Sequence, residues 1–234
     1  MSQRINCFIP YGDETQTKET ILNLKKDALV GKIYLLNAGE KGRCALEGCE
    51  VVDVPSLKNT EAMKKIAERA DADFTLLYTK ESKLEWVHFA LERMVNIAED
   101  SGAAMIYADH FNVIDGVRSF APVIDYQMGS LRDDFDFGSV LLYRTSAFKE
   151  AVSRMNINYQ FAALYDLRLK VSQKGVLEHM NEYLYYEVEM DTRKSGEKLF
   201  DYVDPKNRAV QIEMEQACTE HLKEIGGFLK PEFT

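Results

Sequence analysis

The sequence predicts an α/β fold, a mainly parallel central sheet flanked by helices, on three observations. Short apolar runs alternate with helical patterns over the N-terminal two thirds of the chain. Polar and acidic residues follow those runs, where an open α/β sheet places its ligand loops. With 46% hydrophobic residues among 234, there is enough apolar material for one large core.

The elements are expected in this order. Residues 4–9 (RINCFI) form the first strand. Positions 17–30 form a helix with Ile21, Leu24 and Ala28 on one face. Strands follow at 32–36 and 50–54, then a helix over 61–70 whose stripe is Ala62, Met63, Ile66, Ala67 and Ala70. Residues 73–79 are the next strand. Ser82 with Glu85 three positions on is a capping box, predicting a helix that starts there, buries Val87, Leu91, Met94 and Ala98, and ends at Gly102. Strands are expected at 104–108 and 138–143. Short helices are expected at 147–155 and 164–174, the second stopped by Gly175 in the C′ position. Residues 183–189 alternate as a strand does. A last helix uses Val210, Met214, Ala217, His221 and Ile225. No repeat or Pro/Gly/Ser-rich linker divides the chain, so residues 1–190 read as one domain, with 191–234 a helical extension packed on it.

Composition narrows the function. A net charge of -9, with no basic cluster carrying interleaved aromatics, argues against nucleic acid as partner. No run approaches a membrane span, which leaves peripheral association as the route to a bilayer. The N-terminus lacks a signal-peptide apolar region, so a cytoplasmic location is expected. The four cysteines suit a reducing compartment, because Cys44 and Cys49 are too widely spaced for a metal knuckle and no second pair follows.

Six segments in order carry a resemblance. INCFIPYGD is a strand ending in Pro and a turn, AERADADFTLLYT runs from helix into strand, and MIYADHFNVIDG is an apolar strand with an acid and a Gly-containing hairpin. FGSVLLYRTSAF, YDLRLKVSQKG and VLEHMNEYLYYEVE complete the series. Together, over roughly residues 4–190, they resemble the family 2 glycosyltransferases. That resemblance implies the GT-A fold and inverting transfer of a sugar from a nucleotide-diphosphate sugar to a glycan or lipid-linked acceptor.

Site residues follow from the same resemblance. Pro10, Tyr11 and Asn37 would hold the nucleotide, with Lys80 and Glu81 at the diphosphate and Asp109 and His110 at the donor sugar. Two positions depart from the family. Its Asp-x-Asp motif, which holds Mg²⁺ or Mn²⁺ on the diphosphate, is matched by Thr79, Lys80 and Glu81, leaving Glu81 as the metal-ligating candidate. Its general base falls on Ala163 and Leu164, which makes Asp166 the nearest catalytic candidate. The acidic run Asp133, Asp134 and Asp136 precedes a strand, either solvated or facing the acceptor. The departures leave a second reading, a degenerate GT-A domain that binds nucleotide sugar or assembles with a catalytic partner.

Overall fold

A computed structural model describes residues 3–38, 46–189 and 205–230, with the side chains of 205–207 outside the description. Gly39, Cys44 and residues 191–204 of the polar stretch lie outside the described residues.

The chain order is β1 (Ile5–Pro10), α1 (Glu14–Leu24), β2 (Val30–Ala38), β3 (Glu50–Val54), α2 (Thr60–Arg69), β4 (Phe74–Tyr78) and β5 (Lys83–Trp86). There follow α3 (Ala90–Ser101), β6 (Met105–Ile114), β7 (Val117–Ala121), β8 (Val140–Arg144), α4 (Thr145–Ser153), α5 (Ala163–Ser172), β9 (Leu177–Glu189) and α6 (Pro205–Glu224). The strands make one sheet in the order β3-β2-β1-β4-β8-β6-β9-β5, with β7 paired to β6. The predicted parallel arrangement holds in β3-β2-β1-β4. Beyond β4 the sheet is mixed, because β8 runs antiparallel to both β4 and β6.

Alternation along the strands sends side chains to two cores. Ile5, Cys7 and Ile9 join Ile21 and Leu24 of α1 and Leu91, Met94 and Ala98 of α3 on one face. Phe8, stacked on Tyr34 at 4.7 Å, joins Met63 and Ile66 of α2, Phe148 of α4 and Leu167 of α5 on the other. A third cluster of Tyr159, Ala162, Tyr165, Leu169 and Ala217 fastens α6 to α5. Glu213 of α6 adds a cap from outside, accepting from the backbone N–H groups of Gln160, Phe161 and Ala162 at 2.7–3.2 Å. That places a carboxylate at the positive end of α5.

Four local expectations change. The helix predicted for 17–30 starts at Glu14, where Asp13 caps it, and stops at Leu24. Asp27 then turns the chain by accepting from Leu29 N–H at 2.9 Å, and so leads into β2. The Ser82–Glu85 capping box is not used: residues 83–86 are the edge strand β5, and α3 starts at Ala90 with no side-chain cap. Leu84 is fully buried in that strand, and the Ser82 and Tyr78 hydroxyls share a hydrogen bond at 2.8 Å. Burying a leucine contributes about 1.5–3 kcal/mol, against about 1 kcal/mol for an N-cap, so the strand wins. Gly175 lacks the left-handed backbone of a C′ residue; an added Cβ there would stand 3.0 Å from the Ala104 Cβ, so its smallness allows a close approach to Ala104. Finally, β6 and β9 are longer than predicted and run side by side, with β6 turning into β7 through Asp115 and Gly116, both at positive φ.

Candidate functional site

The strand order reverses at β1, which lies between β2 and β4, so loops diverge from the carboxyl ends of these strands and open a crevice. Pro10 ends β1, and Tyr11 N–H continues the ladder to the Leu36 carbonyl at 2.9 Å. Asn37, near the end of β2, is 9% exposed and gives its amide to Asp53 at 2.8 Å. Its Oδ1 is buried with no hydrogen-bond partner among the described residues. A buried acceptor left open at a strand end is a place for a ligand's N–H.

The β1 and β4 ends touch. A Cβ added to Gly12 would lie 2.7 Å from the Glu81 Cβ and 2.9 Å from its carbonyl oxygen. Gly12→Ala should therefore push the two loops apart, weakening any ligand in the crevice several-fold and costing about 1–3 kcal/mol of stability, as paired titration and melting curves will show.

Beside Glu81, the Lys80 ammonium pairs with Glu187 of β9. Glu187 is 2% exposed, and its other oxygen accepts from the Ser139 hydroxyl and lies 3.3 Å from His110 Nε2. His110 is stacked on Tyr185 at 5.0 Å, and its Nδ1 is buried without a hydrogen-bond partner among the described residues. Burial holds His110 below its ordinary pKa, the nearby Glu187 opposing that shift. Neither Glu187 nor Ser139 stood out in the sequence; one acid in an alternating strand carries no signal until the sheet brings it beside a lysine.

Asp109 faces the opposite side of the sheet from His110. It accepts from Val123 N–H and pairs with His179 Nε2, both at 2.9 Å, while His179 Nδ1 meets Asp125 at 2.6 Å. With Tyr107, which donates to the Ile124 carbonyl at 2.8 Å, these groups fasten the 122–126 segment to the sheet. Asp109 and His110, adjacent in sequence, thus serve separate clusters.

A cavity of about 340 Å³ opens where β4 ends. Thr79, Gly138, Asp133 and Asp136 line it together with Leu164, Tyr165 and Arg168 of α5 and Met214 of α6. Asp134 turns away to Arg132, whereas Asp136 accepts from Gly138 N–H at 2.8 Å. Asp166 lies elsewhere. It is 2% exposed and pairs with Lys170 one turn on at 2.8 Å, and Lys170 also meets Glu224 of α6 at 3.4 Å. Desolvation raises the Asp166 pKa, with Lys170 opposing the shift. Ala163 is fully buried, and of the two positions matched to the family's base only Leu164 lines the cavity.

A divalent cation on a diphosphate requires hard oxygen ligands in octahedral array. The β4 end offers one carboxylate, Glu81, next to an ammonium, and no group of three metal-ligating side chains is assembled among the described residues. The described residues therefore do not fit a divalent cation held by protein side chains alone.

Buried His221, its Nδ1 3.0 Å from Gln173, is held below its ordinary pKa of 6.5 by desolvation, as His110 is. The unfolded chain takes up these two protons near pH 6.5 and the folded chain only at lower pH. Stability is therefore full above that pH and falls as acid carries the folded protein down through the lowered values. Urea midpoints should drop between pH 7 and pH 5, and His221→Gln should flatten the slope.

No helix among the described residues is long and apolar enough to cross a membrane. No protein-family model matches the chain, and no curated protein sequence does. Solved structures do match. The S. aureus TarS fragment 1–349 superposes with a TM-score of 0.61 at 10% identity, covering 94% of this chain and 65% of that one. The same fragment in complex with UDP-GlcNAc gives 0.60 at 12% identity, covering 96% and 73%. Mannosyl-3-phosphoglycerate synthase from Rubrobacter xylanophilus gives 0.57 at 11%, covering 98% and 77%. The chain thus spans about two thirds (65%) of the first TarS fragment. With the β1 switch point, the crevice beyond β4 and these superpositions together, the chain has the GT-A glycosyltransferase fold.

Proposed function

We propose that this chain binds a nucleotide-diphosphate sugar across the ends of β1, β2 and β4 and transfers the sugar, with inversion, to a glycan or lipid-linked acceptor seated in the cavity. The observation that carries this reading is the pairing of two groups on either side of β1. The open Asn37 Oδ1 suits a base or ribose donor, and the Lys80 ammonium suits a diphosphate. TarS, one of the matching structures, has been solved with UDP-GlcNAc, which supports that class of ligand.

In this reading Pro10 and Tyr11 flank the nucleotide, and Lys80 takes up charge as the diphosphate leaves. The acceptor hydroxyl gives its proton to a cavity carboxylate, Asp133 or Asp136, as it attacks the anomeric carbon. Asp109 and His110 act from beneath, by holding the 122–126 segment and Glu187. The test is release of UDP or GDP from a panel of nucleotide sugars with candidate acceptors. Asp133→Asn with Asp136→Asn should lower the rate at least about 100-fold with melting unchanged; undiminished release in that double variant rejects both as bases.

One observation favours the second reading, a binding domain without turnover. Leu164 occupies the cavity wall on α5, while Asp166 is turned into its ion pair. Nucleotide binding with no release from any donor would select it.

A further inference from the structure

We infer that the donor diphosphate is bound without a protein-held divalent cation, by the Lys80 ammonium, and that buried Glu187 is the residue that positions it; this rests on the nucleotide-sugar reading above. Three observations converge. Lys80 directly follows Thr79, which lines the cavity at the β4 end, and its side chain is 48% exposed. Its Nζ is not loose, since it donates to Glu187 Oε2. The segment carries one carboxylate, Glu81, beside that ammonium, an arrangement that disfavours a dication.

Glu187 is built for this task. A carboxylate so deeply buried is costly unless every lone pair is answered. Here the Ser139 hydroxyl donates to Oε1, with His110 Nε2 3.3 Å from the same oxygen, while Lys80 donates to Oε2. An ammonium has three donors. One spent on Glu187 leaves two for phosphate oxygens, and the head group is already fixed where they arrive. Lysine in this position acts as a point charge on phosphate. Ordering a long flexible side chain before the ligand comes is what Glu187 contributes, since the rotamer entropy of lysine is otherwise lost on binding.

The experiment is calorimetric titration of the full chain with uridine, UMP and UDP, and with the guanosine series, each in EDTA and in Mn²⁺. In EDTA the diphosphate should bind at least about tenfold tighter than its nucleoside, one or two charge-assisted hydrogen bonds' worth, and Mn²⁺ should change this less than about twofold. Lys80→Met should remove that gain and leave nucleoside affinity intact; Lys80→Arg should keep part of it. Glu187→Gln retains an oxygen for Ser139 and His110 but turns an amide N–H₂ toward Lys80. It should lose at least about fivefold of the gain with Lys80 still present, its melting curve serving as the check on folding. A strong Mn²⁺ requirement, or a Lys80→Met protein that keeps the gain, overturns the inference. A Glu187→Gln protein that binds UDP as tightly as the unaltered chain overturns the positioning role. If no nucleoside or nucleotide binds at all, the nucleotide-sugar reading itself falls, which is a different outcome from nucleosides binding with no diphosphate gain.

Discussion

Gly138→Ala should be among the most damaging single substitutions in this protein, costing about 2–4 kcal/mol, the sum of a left-handed backbone penalty and an overpacked contact. Gly138 sits at φ +71, and a Cβ there would stand well inside contact distance of the Tyr185 hydroxyl. Tyr185 cannot simply retreat. Its ring is fully buried between His110 and Trp86, with centroids at 5.0 and 6.1 Å, and its hydroxyl accepts from Ser139 N–H at 2.9 Å. Displacing it strands that N–H and disturbs Ser139, which holds Glu187. Denaturant midpoints should show the loss of stability, and nucleotide affinity should fall with it. Tyr185→Phe in the same chain removes the clashing oxygen, so the double variant should recover part of the loss. If Gly138→Ala folds and binds like the original, the strain assigned to this turn does not exist.

Asp166→Ala should cost about 3 kcal/mol, because it leaves the Lys170 ammonium buried beside only a distant partner. Lys170 keeps Glu224 at 3.4 Å, but Glu224 already serves Arg154 at 2.9 Å and Gln173 at 3.1 Å. Any loss of turnover in that variant is therefore mixed with loss of folding. Replacing the pair together, Asp166→Leu with Lys170→Met, should restore most of the stability, as apolar isosteres of buried ion pairs commonly do. The rate in this double variant then separates two roles. An ion pair that only locks α5 to α6 predicts transfer close to the original. A proton acceptor at Asp166 predicts stable protein with transfer lost. Thermal melting and nucleotide release, measured side by side, decide between them.

Much of the fold was legible because its signals are local and repeated. The apolar runs at 4–9, 32–36 and 73–79 are buried strands, since each alternates between two cores, and 50–54 is the edge strand β3, which buries Val52 and Val54. Gly102 ends its helix as read, at φ +65. The Ser82–Glu85 motif misled because a capping box is a weak local preference, and Leu84 had a deeper place against β9 and α1. Gly175 resembled a cap, but its smallness serves Ala104, a neighbour 71 positions away in sequence.

The candidate site divides in the same manner. The sequence by itself determined the α/β class, the parallel half of the sheet and which residues end its strands, so Pro10, Tyr11, Asn37, Lys80 and Glu81 could be named as a group. Their place at strand ends follows from period and strand length, which are properties of neighbours in the chain, whereas their grouping as one nucleotide and diphosphate site is what the family resemblance implied. Only the tertiary structure decided what each group faces. It gave Lys80 a buried carboxylate from β9, set Asp109 and His110 on opposite sides of one strand, and turned Asp166 to Lys170 while Leu164 took the cavity wall. The reason is physical. A side chain's partner across a sheet or between two helices is set by strand order and helix rotation, and both are fixed by burying the whole core at once.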